Sequence, residues 1–465
     1  MGPAAILAPL QGALILTLTV LVALDEWTGW AAIAPLKHTV FVVLMVLLVP
    51  IVPRARLAFV ALALAIVASL PFIEADWART ISAGIDTAAF VGAFFTALTC
   101  LHTVAIQSPS IKRAGAFLAA QRPGRRYLAL TVGSQGFTLL LNYGALQVLG
   151  SLALANAHKE PDQRIRAIRI RRMLLAINRG VVSTLPWSPT SFAIAICTTV
   201  VPSVTWSDVV GPSLVTAFIT AGVGLALDTL FKPKVQQPSG ARPVAEGNWV
   251  VLAPLGLLLL LLVVGVASLY GLTNVGVSGL VMVIVPLIGL GWMVVQTTTS
   301  PATGTMGSRL SGYVSKELPS YSSELVLLCM AGFIGTAGSA VLEPLVGMLE
   351  VDLGTLPTSV LLVAFVWLIP LAGQFGMNPI LVVTLIAPLI PSAAQLGVQP
   401  EAIVLAMTAG WALSGATSPF TATTLLVARL GGVTARTVGL RWNGVYTLLC
   451  ASLLSAWVLV FAFAL

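Results

Sequence analysis

Apolar runs of membrane-crossing length, interrupted at intervals by short polar clusters, set the pattern of this chain. A bilayer core takes roughly 20 apolar residues per helical crossing. Uninterrupted spans are expected at Pro9–Leu24, His38–Ile51, Leu57–Phe72 and Ile85–Ala105, and Val209–Phe231 closes the first half. The second half offers Trp249–Tyr270, Val277–Gln296, Ser323–Leu342 and a final Trp442–Leu465.

Four other apolar stretches are interrupted. Tyr127–Ala157 has a polar centre at Leu141-Asn-Tyr-Gly144, and Pro357–Ile390 has one at Gly373-Gln-Phe-Gly-Met-Asn-Pro379. Met173–Val201 carries Ser183-Thr-Leu-Pro-Trp-Ser-Pro-Thr-Ser191, and Ala402–Ala428 carries Ser414-Gly-Ala-Thr-Ser-Pro-Phe-Thr421. A helix in lipid must satisfy its own backbone, so a proline among hydroxyls at mid-span survives only beside a water-filled or ligand-filled cavity. The first two stretches are expected as re-entrant hairpins and the other two as helices unwound in the middle.

Charge decides which way up the chain sits. Put the N-terminus inside and let each hairpin enter and return on one side. Of the 24 Lys and Arg, all but Lys37, Arg79 and Arg179 then fall in inside loops. Full crossings would instead set the basic loop His158–Arg172 opposite the basic loop Lys112–Arg126. The first hairpin is therefore expected to enter from the cytoplasm and the second from outside, with the C-terminus outside.

Residues 1–30 then form an extra leading helix, 31–231 a first repeat, 232–248 a Pro/Gly/Gln-rich linker and 249–465 a second, inverted repeat. Asn142 stands 46 residues before Ser188, and Asn378 stands 40 before Ser418, so the two interrupted pairs align. The expectation is an all-α polytopic protein of the bacterial cytoplasmic membrane with about 11 transmembrane segments, built as an inverted-repeat, elevator-type transporter.

Composition narrows the reading further. A 58% hydrophobic and 9% charged chain with mean hydropathy +0.99 is no soluble globular protein. The net charge of +8 lies in the inside loops, which points to lipid headgroups and not to nucleic acid. Cys100, Cys197, Cys329 and Cys450 are far apart in apolar segments and read as packing residues. With no Ser–His or paired-carboxylate constellation in the spans and no His/Cys metal spacing, neither an enzyme nor a resident cofactor is expected.

The order of three spans, hairpin, broken helix and span, repeated after one leading helix, resembles the divalent anion/sodium symporter family of the ion transporter superfamily. In that family the breaks carry a Thr-Pro-Pro-Asn type element and the hairpin tips Ser-Asn-Thr. Here the breaks read Trp187-Ser188-Pro189-Thr190 and Thr417-Ser418-Pro419-Phe420, and the tips Leu141-Asn142-Tyr143 and Met377-Asn378-Pro379. The tip Asn is kept twice; the flanking Ser and Thr are not. The resemblance implies sodium ions and a di- or tricarboxylate held between tips and breaks, in a homodimer whose transport domain moves against a scaffold.

Sodium is a hard cation that takes oxygen ligands, which Ser, Thr, Asn and unwound carbonyls supply. The inner cation candidates are Asn142, Gly144, Ser183, Thr184 and Ser188; the outer ones are Gly373, Asn378, Ser414, Thr417 and Ser418. For the organic anion the candidates are Asn142, Tyr143, Trp187, Thr190, Gln374, Asn378, Thr421 and Arg179. Against this stands the plainer reading that single hydroxyls bond back to their own helices. Arg179 reads either as an anion counter-charge near the cytoplasmic mouth or, structurally, as a base snorkelling to the interface or capping the half-helix before the break. No Asp or Glu lies in a tip or a break, which favours sodium over protons, though Asp86, Asp228 or Glu343 at span ends could relay a proton. Ser110–Gln121 is expected as an interfacial helix. The sequence thus leads to a secondary transporter of an organic anion, coupled to Na+. The alternative is a cation/proton antiporter or an inorganic-anion exporter of the same superfamily.

Overall fold

A computed structural model describes residues 3–142, 144–201, 203–232, 248–299, 305–348 and 356–464. Among them the chain is helical, with no strand. The helices of the first half are α1 Pro3–Thr28, α2 Ile33–Leu48, α3 Arg54–Ile73, α4 Trp77–Gln107, α5 Pro109–Ala119, α6 Pro123–Leu141, α7 Gly144–Ala157, α8 Gln163–Thr184, α9 Phe192–Val200 and α10 Trp206–Leu230. Those of the second half are α11 Ala253–Leu272, α12 Val277–Thr299, α13 Met306–Gly312, α14 Leu318–Ser320, α15 Ser322–Met348, α16 Thr358–Gln374, α17 Pro379–Ile386, α18 Ala393–Leu396, α19 Pro400–Thr417, α20 Ala422–Gly431 and α21 Gly444–Ala464. By length and composition, ten described helices can cross a membrane. α8 with α9 does not count among them, because the first turns of α8 are basic and the pair is interrupted. Most of the linker expected at 232–248, including Lys234 and Arg242, lies outside the described residues, as does Tyr143.

Some spans run longer than hydropathy alone suggests. α4 has 31 residues where 21 were expected, because Trp77, Arg79 and Thr80 continue the helix past the apolar core. The interrupted stretches are two helix–turn–helix elements, α6/α7 and α16/α17, and two helix pairs parted by a break, α8/α9 and α19/α20. The span formed by α19 and α20 is the least apolar of the ten and the most deeply buried, as befits a helix enclosed by protein.

Packing divides the chain into two compact units, each drawing on both halves of the sequence. Unit 1 comprises Met1–Val104, Leu262–Thr355 and Ile380–Pro391; unit 2 comprises Ala105–Leu261, Leu356–Pro379 and Ser392–Leu465.

In unit 1, α1 lies against α2 and against a π-helical turn, Tyr313–Glu317, and α3 lies along α15. Polar ties close this bundle. Lys37, buried at 5% exposure, bonds Asp25 and lies 2.7 Å from Asp86, which His38 Nε2 also approaches at 2.7 Å. Trp27 Nε1 donates to Gly279 O at 3.1 Å, and Thr103 Oγ1 to Glu317 Oε2 at 2.8 Å. Thr384 of α17 stands against Gly335 of α15 within this unit, its hydroxyl turned back to Ile380 O.

In unit 2 the tightest pairings are α6 with α8 and α16 with α19. Each pairs a hairpin arm with a half-helix that runs to a break. α10 and α21 flank them, and the short amphipathic α5 covers α7. Ser108 caps α5, and Phe117 meets Trp249 edge to face with centroids 5.2 Å apart. The four cysteines are buried free thiols.

Candidate functional site

Every candidate cation- or anion-binding residue named from the sequence falls within unit 2, apart from Tyr143, which is not described; the relay candidates Asp86 and Glu343 fall in unit 1. Two glycines set the geometry of both breaks. Gly180 stands eight residues before Ser188, and Gly410 stands eight before Ser418. A Cβ on Gly180 would come 2.4 Å from Thr131 O of α6, and one on Gly410 would come 2.3 Å from Phe365 O of α16. Both are backbone-to-backbone contacts that only glycine allows, so the same close approach occurs once in each half of the sequence.

At the first break α8 ends at Thr184, three turn residues follow, and α9 starts behind Ser191, whose hydroxyl accepts from Ala193 N. Asn142, the tip of α6/α7, has φ 48°, a region that costs an ordinary residue about 1–3 kcal/mol. In that conformation its Nδ2 donates to Thr190 O at 3.3 Å. Thr190 Oγ1 returns a bond to Leu139 O at 3.3 Å and lies 2.8 Å from Ser188 Oγ. Tip and break are thus joined through Asn142, Ser188 and Thr190. Ser183 and Thr184 both bond back to Gly180 O, at 2.8 and 2.9 Å. Gly144 opens α7 next to the tip. Trp187 O accepts from Trp206 Nε1 at 2.8 Å, while the indole N–H of Trp187 is buried with no partner among the described residues.

At the second break Ser418 Oγ donates to Gly373 O at 2.6 Å, and Ser414 Oγ lies at the same glycine, 2.5 Å from where a Cβ would sit. Ser414 is fully buried, and its hydroxyl has no partner among the described residues. Gly373, Ser414 and Ser418 therefore do meet. Thr417 turns away, to Gly439 O at 3.1 Å, and Gln374 bonds its own helix at Pro370 O. Thr421 caps the corner, with Oγ1 3.0 Å from both Ser418 O and Thr424 Oγ1. Asn378 sits in the half-buried turn before α17. The two breaks themselves come together where Gly415 of α19 stands against Val182 of α8 and Leu185 just after it.

Arg179 is 4% exposed and faces protein on every side. It donates to Asn443 Oδ1 at 3.0 Å, the Tyr127 hydroxyl at 3.1 Å and Trp442 O at 3.2 Å, and lies 4.5 Å over the Tyr446 ring. No carboxylate pairs with it among the described residues. Its partners come from α6, from α21 and from a π-helical turn, Thr437–Trp442, which also presents Gly439 O to Thr417. None of these partners is a carbonyl of the last turn of α8, so the cap on that half-helix expected from the sequence is not the arrangement found; the guanidinium donors are committed to oxygens of other elements.

Sequence reasoning missed Gln135, which donates to Ser183 Oγ at 3.0 Å, and Asn443, which joins Asn178 to Ala416 O. Gln135 was detectable as an amide in an apolar run seven residues before the tip. Asn443, just ahead of the last span, gives no local signal of its burial.

Each break offers the same chemistry. The C-terminal carbonyls of α8 and α19 carry partial negative charge and favour a cation; the N-terminal N–H groups of α9 and α20 favour an anion. The hydroxyls between them supply neutral oxygens.

No protein-family model matches the sequence, and no curated protein does. Solved structures match its fold. One is the Alcanivorax borkumensis YdaH transporter, described as having an unusual topology, with TM-score 0.55 and 16% identity over 87% of this chain and 98% of that one. Another is Neisseria gonorrhoeae MtrF, described within a class of antimetabolite efflux pumps, with TM-score 0.54 and 13% identity over 89% and 96% of the two chains. This chain is an integral membrane protein with the fold of membrane transporters.

Proposed function

We propose that the protein is a secondary active transporter of an organic anion bearing a carboxylate, coupled to Na+. It works by elevator-type alternating access, with unit 2 as the carrying body. The observation that carries this reading is the matched pair of breaks, each tied to its hairpin arm and each lined by neutral oxygens between opposed half-helix ends. An anion can lie on the N–H ends of α9 and α20 while sodium lies on the carbonyl ends of α8 and α19. Hairpin and break meet at Gly373, Ser414 and Ser418 and at Asn142, Ser188 and Thr190, and these are the ligands we assign. Asn378, Thr421 and Trp187 stand at the edges of the two sets. Arg179 is assigned to hold the breaks in place and not to bind the anion.

Proton coupling would run through titratable groups. Asp86 is engaged by Lys37 and His38, and Asp228 by Arg172, so both have structural partners. The side chain of Glu343 lies outside the described residues. This arrangement supports sodium over the antiporter alternative. The efflux described for MtrF makes outward movement the second reading of direction.

The test is a thermal-shift screen of the purified protein against organic anions in sodium and in potassium, followed by flux in proteoliposomes. Sodium-dependent stabilisation by one carboxylate, and sodium-driven flux of it, is expected. Stabilisation by pH alone, with proton flux and no organic substrate, would replace this reading with the antiporter. The sign of flux under an imposed sodium gradient gives the direction.

A further inference from the structure

Apart from Asp228 near its end, α10 carries no residue that the sequence or its resemblance marked out, yet its buried face is unusual. The buried residues are Val209, Ser213, Thr216, Ala217, Thr220 and Gly224, a single stripe at helical spacing, while Phe218 and Leu214 point outward. Ser and Thr inside a membrane helix ordinarily bond back to a carbonyl one turn earlier. Thr220 does so, to Thr216 O and Ala217 O, both at 3.0 Å. Ser213 and Thr216 do not. Both are fully buried, and neither hydroxyl has a partner among the described residues. For Thr216 the usual acceptor, Pro212 O, is engaged by Trp457 Nε1 at 3.3 Å.

The place these hydroxyls face is fixed by contacts on both sides. Arg172 holds Asp228 in a two-bond pair at 2.7 and 2.6 Å, and Gly224 lies against the Arg179 side chain, its Cβ position 3.2 Å from Cδ. Beyond them Trp206 donates to Trp187 O. α10 therefore runs antiparallel to α8, and the stretch of its buried face between Gly224 and Trp206 lies along the chain from Arg179 to Trp187. That stretch of α8 includes its last turn and the first break. An unpaired buried hydroxyl is destabilising, so two on one face need a partner. The last turn of α8 offers such a partner, since its C-terminal carbonyls carry partial negative charge and favour a cation.

We propose that Ser213 and Thr216 of α10 are two oxygen ligands of the sodium ion bound at the first break, making α10 a third wall of the site beside the hairpin and the broken helix. This rests on the sodium coupling proposed above. It also gives the break a ligand source that no Pro-and-hydroxyl motif reveals, since the stripe otherwise looks like small residues that let helices pack closely.

The experiment measures thermal unfolding of the full-length protein in detergent across a titration of NaCl against choline chloride. Thr216→Val keeps the shape and removes the oxygen; Ser213→Ala does the same with a smaller change. Each is expected to raise the half-saturating sodium concentration by about tenfold or more, the scale seen when a contact to a bound metal is lost. Their unfolding temperatures without sodium should be unchanged or higher. Thr216→Ser, which restores the hydroxyl, is expected to restore the response. If wild type responds to sodium, Asn142→Ala loses that response and both α10 variants keep it, the α10 assignment is wrong and the transport reading stands. The hydroxyls then hold water only. If wild type shows no sodium response, the sodium reading and this assignment fall together. Should Thr216→Val not fold, Ser213→Ala alone decides.

Discussion

Asn443 Nδ2 donates to Asn178 Oδ1 at 3.1 Å across 265 positions of sequence, and the same amide reaches Ala416 O at 3.2 Å. Its oxygen accepts from Arg179. One fully buried Asn thus ties the half-helix before the first break to the half-helix before the second, with a guanidinium as the third party. Burying a cation without a carboxylate is costly unless its donors are satisfied, and here neutral oxygens and a tyrosine ring do that. The carbonyl end of α19 adds partial negative charge beside it.

Asn443→Ala removes the acceptor of a buried charged donor and should lower stability by about 1.5–3 kcal/mol. A double-mutant cycle with Arg179→Ala should return a coupling energy of about 1 kcal/mol or more, measured by chemical or thermal unfolding. Additive effects would mean that the two side chains act independently. Substrate affinity in variants that still fold should change little, since the role assigned to Arg179 is to position the breaks.

Gly180→Ala and Gly410→Ala each drive a methyl group into a carbonyl of the facing hairpin arm. Overpacking of this kind costs about 1–3 kcal/mol and should reduce flux in both cases. Gly222→Ala is the control: it lies in α10 with open space where the Cβ would go, and it should leave flux and the unfolding temperature close to wild type.

Asn142→Ala removes the bond that joins the first tip to Thr190 O, and Ser418→Ala removes the bond to Gly373 O. Both should lower sodium-dependent uptake by about tenfold, the effect of losing about 1.4 kcal/mol at the site. Asn378→Ala tests the second tip in the same assay. Wild-type uptake and ion dependence in Asn142→Ala and Asn378→Ala together would refute the assignment of tips to the site.

Asp228→Asn leaves Arg172 facing a neutral amide, where two short bonds now hold α8 to α10. Breaking one partner of a largely buried pair costs up to about 3–5 kcal/mol, and this half-buried pair should lose less than that. Replacing both, as Arg172→Met with Asp228→Leu, should recover most of the lost unfolding temperature. If the single change costs nothing, the pair does not fix the register of α10 against α8.

The first hairpin, the turn at the second tip and both breaks were legible in the sequence because Pro, Gly and clustered hydroxyls are conspicuous where lipid demands an unbroken apolar helix; that α16 falls in unit 2 and α17 in unit 1 was not. Ser188-Pro189 and Ser418-Pro419 mark the breaks correctly, and Asn142 marks the first tip. Hydropathy placed the spans, but polar flanks such as Trp77–Thr80 lie outside what it can detect. The fate of each hydroxyl was not legible: Thr417 and Ser418 are neighbours, yet one bonds Gly439 O away from the hairpin and the other bonds Gly373 O in it. Helical rotation separates adjacent residues by about 100°, and only packing decides which face points where.

The sequence by itself determined an all-helical chain of membrane spans with a matched interruption in each half, since the cost of an unsatisfied backbone in lipid is a local property. Only the tertiary structure decided that both interruptions belong to one unit, that Gly180 and Gly410 bring backbone to backbone, and that Asn443 and α10 complete the surroundings. Those relations join residues separated by up to 265 positions, and they exist only once side chains compete for the same buried space and the same few unpaired oxygens.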